Sequence, residues 1–182
     1  MLDPSGDNPI VDDRVMPPMI GIAAPSGSGK TTLIEGLLRV FNERGLMIGV
    51  IKHDAHRLKL DTPGKDSWRY RQAGAWCSVV ADDSQVGVFS SVDKAPTVYD
   101  LATEYLRNVD LVLVEGFRCA NLPTIMVIRD RVVDAEWRPP DTVIAFATDK
   151  SLETTLPQLD LNDPDQVADF IAADLLSHER SQ

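Results

Sequence analysis

Short apolar runs alternate with segments of helical period along this chain. Met19-Ile20-Gly21-Ile22-Ala23 predicts a first strand, and Met47-Ile48-Gly49-Val50-Ile51 predicts a second, parallel one. Ala75 to Ala81 and Val86 to Ser90 predict two strands joined at Asp82-Asp83-Ser84. Asp110 to Gly116 predicts a buried strand that ends in an acid and a glycine. Pro123 to Arg129 and Thr142 to Ala147 predict two more. Between them, Leu33, Leu37 and Phe41 recur at i, i+4, i+8, which predicts a helix to about Arg44 closed by Gly45. Ser67 to Gln72 predicts a short helix closed by Gly74, and Pro96 to Arg107 a helix with Pro at its start. Asp163 to Leu176 predicts the closing helix, with Val167, Phe170, Ile171 and Leu175 on one side. Strands alternating with helices predict an α/β fold, a mostly parallel sheet with helices on both faces. Residues 1–18 show no such period. They hold Asp3, Asp7, Asp12, Asp13, Pro4, Pro9, Pro17 and Pro18, and are read as a flexible leader before a single domain over 19–182.

The stretch between the first strand and its helix carries the chemistry. Ala24-Pro25-Ser26-Gly27-Ser28-Gly29-Lys30-Thr31-Thr32 fits the phosphate-binding loop G-x-x-x-x-G-K-[ST], with Ala24 in place of the first glycine. Gly27 and Gly29 let backbone N–H groups approach phosphate oxygens, and the helix that follows adds its positive end. Pro25, Ser26, Gly27, Ser28, Gly29, Lys30, Thr31 and Thr32 are therefore assigned to nucleotide binding. Lys30 is the charge on the β- and γ-phosphates, and Thr31 is a Mg²⁺ ligand. This motif makes the predicted fold that of a P-loop NTPase.

A second anchor is Glu115, which follows Leu111-Val112-Leu113-Val114 as the acid follows a Walker B strand. Its carboxylate is assigned to Mg²⁺ or to the attacking water, so Lys30 and Glu115 are the catalytic candidates. Gly116 lets the chain turn beside the phosphates. Lys52-His53-Asp54-Ala55-His56 stands at the carboxyl end of the second strand, where open α/β sheets bind ligands. Lys52, His53 and His56 are assigned to contacts with phosphate, a pterin-like ring or metal-bound water. Asp54 and Asp61 are candidates for a second Mg²⁺ contact. Asp149, after the strand ending at Ala147, is placed to accept from guanine N1 and N2.

Composition narrows the partners. The chain has 182 residues, a net charge of −10 and 43% hydrophobic residues. That charge argues against nucleic acid and anionic membrane as general partners. Lys52 to Arg71 is the exception, a basic island with a local excess of three positive charges. Lys65 and Arg69 within it are candidates for an arginine-finger role. Cys77 and Cys119 have no metal-type spacing and read as buried or half-buried free thiols in a reducing compartment. No stretch has the length of a membrane span, and the N-terminus lacks signal-peptide order, so a cytoplasmic setting is expected.

Gly-Ser-Gly-Lys-Thr-Thr, Lys52-His53-Asp54-Ala55-His56, Asp61-Thr62-Pro63-Gly64-Lys65-Asp66-Ser67, Ala73-Gly74-Ala75 and Leu113-Val114-Glu115-Gly116-Phe117 together resemble the molybdopterin-guanine dinucleotide biosynthesis adaptor (MobB) family. Leu161-Asn162-Asp163 is similar too. The resemblance implies binding of GTP with Mg²⁺ and weak hydrolysis. It also implies assistance to the guanylyltransferase that joins GMP to molybdopterin, giving the guanine dinucleotide form of the molybdenum cofactor. It adds Lys65, Asp66 and Ser67 to the ligand-binding set and implies a homodimer. Two other classes also fit the motifs: a P-loop small-molecule kinase, and a non-hydrolysing nucleotide-dependent scaffold.

Overall fold

Six strands form one parallel sheet in the order β2-β5-β1-β6-β7-β8 in a computed structural model. The structure describes residues 16–24, 28–53, 60–116, 121–129 and 140–179. In chain order the elements are β1 Met19–Ala23, α1 Lys30–Glu43, β2 Ile48–Lys52, α2 Asp66–Gln72, β3 Cys77–Ala81 and β4 Val86–Ser90. They continue with α3 Val98–Tyr105, β5 Leu111–Glu115, β6 Thr124–Ile128, β7 Val143–Thr148, β8 Gln158–Asp160 and α4 Pro164–Glu179. Every predicted strand and helix is present, with ends moved by a few residues. β8 is an addition to the predicted set. Its three residues hold one buried side chain, Leu159, which is too short a pattern to register as a strand.

The described residues fall into two compact units, one within Met1–His53 and Val98–Gln182 and one within Asp54–Thr97. In the first, strand alternation sorts the core onto two sheet faces. Ile20, Ile22, Leu111, Leu113, Ile125 and Val127 face α1 and α4, meeting Leu33, Leu37, Phe41, Val167 and Ile171. Met19, Val112 and Val114 face the other way, toward Val98 and Ala102 of α3. This two-sided burial is why the central strands read as unbroken apolar runs. The periodic stripes on α1 and α4 lie where the sequence puts them. The sheet is wholly parallel, and its helices cover both faces. No helix among the described residues is long and apolar enough to cross a membrane.

The second unit is a β3–β4 antiparallel hairpin with α2. Asp82 builds its turn: Oδ1 accepts from the Ser84 N–H at 2.7 Å and the Gln85 N–H at 3.0 Å, and Oδ2 accepts from Gln85 Nε2 at 3.0 Å. These bonds, the Gln85 side chain's first, hold the Asp82 carboxyl down at about 2. Cys77 is a free thiol, as expected, but it is exposed rather than buried. It lies on the hairpin face that carries Val79, Ala81, Val86, Val88 and Ser90, and all of these are exposed. Cys119 lies outside the described residues.

Candidate functional site

The loop after β1 leads straight into α1. Gly29 caps the helix at φ +86°, a left-handed conformation that suits glycine, and its carbonyl accepts from the Leu33 N–H at 3.1 Å. Gly29 offers no side-chain cap, and the first turn of α1 carries no acid. The positive end of the helix is thus not offset by an acid of its own first turn. Ser28 is buried, whereas the Thr31 and Thr32 side chains are exposed. Pro25, Ser26 and Gly27 of the predicted phosphate loop lie outside the described residues.

β5 lies beside β1, with Ile22 and Glu115 in register. β2 lies on the far side of β5, with Lys52 opposite Glu115. Parallel pairing therefore brings three strand ends to one edge, and Glu115 is in the middle. Lys30 Nζ stands 4.0 Å from Glu115 Oε1, and Lys52 Nζ stands 3.5 Å from Oε2. Lys30 Nζ is also 3.5 Å from the Ala24 carbonyl. The Glu115 side chain is only 13% exposed, against 53% for Lys52. One carboxylate between two ammonium groups leaves one net positive charge at this edge. Gly116 follows at φ +94°. The His53 N–H donates to the Glu115 carbonyl at 2.8 Å, so the two chains leave the sheet bonded together.

The donor chemistry here suits Mg²⁺. Oxygen ligands from one carboxylate and one hydroxyl match an ion that keeps its waters and takes the rest of its shell from substrate phosphates. Among the described residues no three His, Cys, Asp or Glu side chains cluster as a metal-binding group. A Mg²⁺ carried in on phosphate fits the carboxylate and hydroxyl present.

The family model "Molybdopterin guanine dinucleotide synthesis protein B" matches residues 19–149. The chain belongs to the MobB family. Two curated relatives, both described as molybdopterin-guanine dinucleotide biosynthesis adapter proteins, come from Haemophilus influenzae and Escherichia coli. The first is 38% identical over 85% of this chain and 87% of its own length. The second is 36% identical over 87% of this chain and 93% of its own. A crystal structure of Bacillus subtilis MobB superposes with a TM-score of 0.72 at 28% identity, covering 86% of this chain and 96% of that one. The fold is accordingly the α/β P-loop NTPase fold.

Other assigned residues of this MobB-family chain have partners of their own. In the second unit, Asp61 Oδ1 accepts from the Thr62 N–H at 2.8 Å and from Ser67 Oγ at 3.0 Å, while Oδ2 faces Arg71 Nε at 3.4 Å. Its carboxylate is 4% exposed and fastens the loop onto α2. Asp66 pairs with Arg69 at 3.5 Å on an exposed turn, and Ser67 is buried. Lys65 is exposed at the N-cap of α2. The Asp61–Arg71 and Asp66–Arg69 pairs set two of the basic island's cations against acids of the same unit. Asp54 and His56 lie outside the described residues.

In the first unit, Asp149 follows β7 and borders a cleft of about 330 Å³ lined by Thr148, Lys150, Ser151, Asp160 and Asn162 among others. Thr148 shapes the turn, its Oγ1 accepting from the Lys150 N–H at 3.1 Å. One residue at this edge escaped the sequence reading. Arg129 follows β6, and its guanidinium lies beside Gly29 and Asp149. It directly follows an apolar strand, as Glu115 and Lys52 end theirs, but strand order rather than that position brings it here.

Proposed function

We propose that this protein binds GTP, hydrolyses it weakly, and assists the guanylyltransferase that joins GMP to molybdopterin. One observation supports this above the others: the lysine that opens α1 meets the acid that ends β5 at 4.0 Å. Lys30 would leave Glu115 for the β- and γ-phosphate oxygens and neutralise their charge. Thr31 and Glu115 would hold Mg²⁺, which when bound would neutralise negative charge at the phosphates. Glu115 would also orient the attacking water. Lys52 would remain beside the carboxylate as a countercharge while Lys30 turns toward the ligand. Asp149 would read the guanine edge, with Lys52 and His53 lining the opposite side of the loop. The relatives' description as adapter proteins supports the link to molybdopterin and its guanylation. Titrating GTP, ATP and molybdopterin into the purified protein, with and without Mg²⁺, tests this while phosphate release is followed. GTP binding that strengthens with Mg²⁺, with slow release, is expected. Absence of nucleoside triphosphate binding overturns the reading.

The same reading includes a homodimer in the cytoplasm. The exposed free thiol of Cys77 suits a reducing compartment. The outward hairpin face supports self-association, because Val79, Val86 and Val88 are 63%, 66% and 43% exposed there. A charge on such a face should break a dimer. Light scattering of Val79→Asp is expected to report a monomer where the wild type reports a dimer. A wild type that is monomeric at micromolar concentration refutes the assembly.

A further inference from the structure

Arg129 stands at the carboxyl end of β6, between the phosphate loop after β1 and the cleft after β7. Its Cζ would lie 3.5 Å from a Cβ built on Gly29, so the flat cation packs along the turn that opens α1. Its Nε faces Asp149 Oδ2 at 3.9 Å, and its Nη2 donates to Asn162 Oδ1 at 3.4 Å. Asp149 and Asn162 both line the 330 Å³ cleft. Three separate turns thus meet on one guanidinium: the start of α1, the end of β7 and the turn after β8.

We infer that Arg129 is the positioning residue of the base side of the nucleotide site. It fixes the Asp149 carboxylate relative to the phosphate loop, so that base and phosphates are read together as one ligand. The inference rests on the reading that a nucleoside triphosphate lies in this loop with its base toward Asp149. Arginine suits the task better than lysine. Its planar fork reaches two acceptors at once while its face lies along a glycine that has no side chain in the way. Asn162 takes one arm of the fork and Asp149 faces another, so the guanidinium ties those two turns together. A carboxylate held in place before binding loses less rotamer freedom when a base arrives, and that gain is specific to the base it can accept from.

The test compares GTP and ATP dissociation constants in the wild type, Arg129→Ala, Arg129→Lys, Asp149→Ala and the double alanine variant, with melting temperatures alongside. Arg129→Ala is expected to weaken GTP about tenfold and to erode the preference over ATP. Arg129→Lys should recover part of the affinity but little of the preference. The double variant should be no worse than Asp149→Ala alone, since the arginine acts through the acid. An Arg129→Ala protein that keeps the wild-type GTP-to-ATP ratio, while Asp149→Ala has lost it, overturns the inference and leaves the nucleotide reading standing. Equal losses for both nucleotides with a lowered melting temperature also overturn it, because that is the mark of a structural arginine. An unchanged ratio in Asp149→Ala removes the base assignment itself, and the role of Arg129 falls with it.

Discussion

Replacing Lys30 by alanine is expected to weaken GTP binding about a hundredfold while the protein stays folded. The two halves of that result have different physical origins. In the free protein Lys30 sits on the first turn of α1, and its ammonium is 4.0 Å from Glu115, too long for a good charge-assisted hydrogen bond. A partly exposed pair of this kind is worth about 0–1 kcal/mol. Lys52 remains 3.5 Å from the same carboxylate, so Glu115 keeps a countercharge after the change. Alanine is also the best helix former, which suits the start of α1. Binding is another matter. A charged donor to phosphate contributes about 1.5–3 kcal/mol per hydrogen bond, and each 1.4 kcal/mol is about a factor of ten. On the proposed reading Lys30 serves two phosphates, so the upper part of that range applies. Calorimetric titration beside a thermal melt reads both quantities. Affinity within about threefold of wild type would remove Lys30 from the site. Lys52→Ala, on a side chain that is 53% exposed, should cost much less.

How much of this could be read in advance depends on whether the physical cause is local. Leu111 to Val114 announced β5 because a strand covered on both faces must be apolar at every position. Leu33, Leu37 and Phe41 announced α1 because one face of a helix recurs every three to four residues. Lys30 and Glu115 were legible because each stands at a fixed offset from such an element. Arg129 was not, although it also follows a strand. Its part in the site comes from strand order: β6 lies between β1 and β7, and no periodicity encodes which strands are neighbours. Arg69 and Arg71 read as part of a basic island, and Asp66 and Asp61 face them once the loop folds onto α2, a pairing that no periodicity encodes. Leu159 could not announce β8, since one buried residue between two exposed ones has no period. Cys77 read as a buried or half-buried free thiol, since its spacing from Cys119 suits no metal site. Here the hairpin turns that apolar face outward.

Gly116→Ala is expected to lower the melting temperature by on the order of 10 °C and to weaken nucleotide binding with it. Two costs combine. Gly116 has φ +94°, where an alanine pays about 1–2 kcal/mol against its Cβ. The space is also taken: a Cβ there would overlap the His53 carbonyl oxygen and stand 3.0 Å from the His53 carbonyl carbon. Those are backbone atoms, and the His53 N–H is already bonded to the Glu115 carbonyl at 2.8 Å. No rotamer change can relieve the overlap. Either β2 and β5 part at their carboxyl ends, or Glu115 turns out of line with Lys30. Overpacking of this kind adds about 1–3 kcal/mol. The sum is a large fraction of the roughly 5–15 kcal/mol that holds a domain together. At about 2–4 °C per kcal/mol for a chain of this size, the shift is easy to read in a melt. The binding loss separates this glycine from an ordinary turn residue. Gly64 and Gly74 also have positive φ, at +88° and +110°, but a Cβ on either meets nothing within 4 Å. Gly64→Ala and Gly74→Ala should therefore cost only the conformational part and leave nucleotide affinity alone. If Gly116→Ala melts and binds as they do, the close approach of residue 53 to residue 116 does not govern the site.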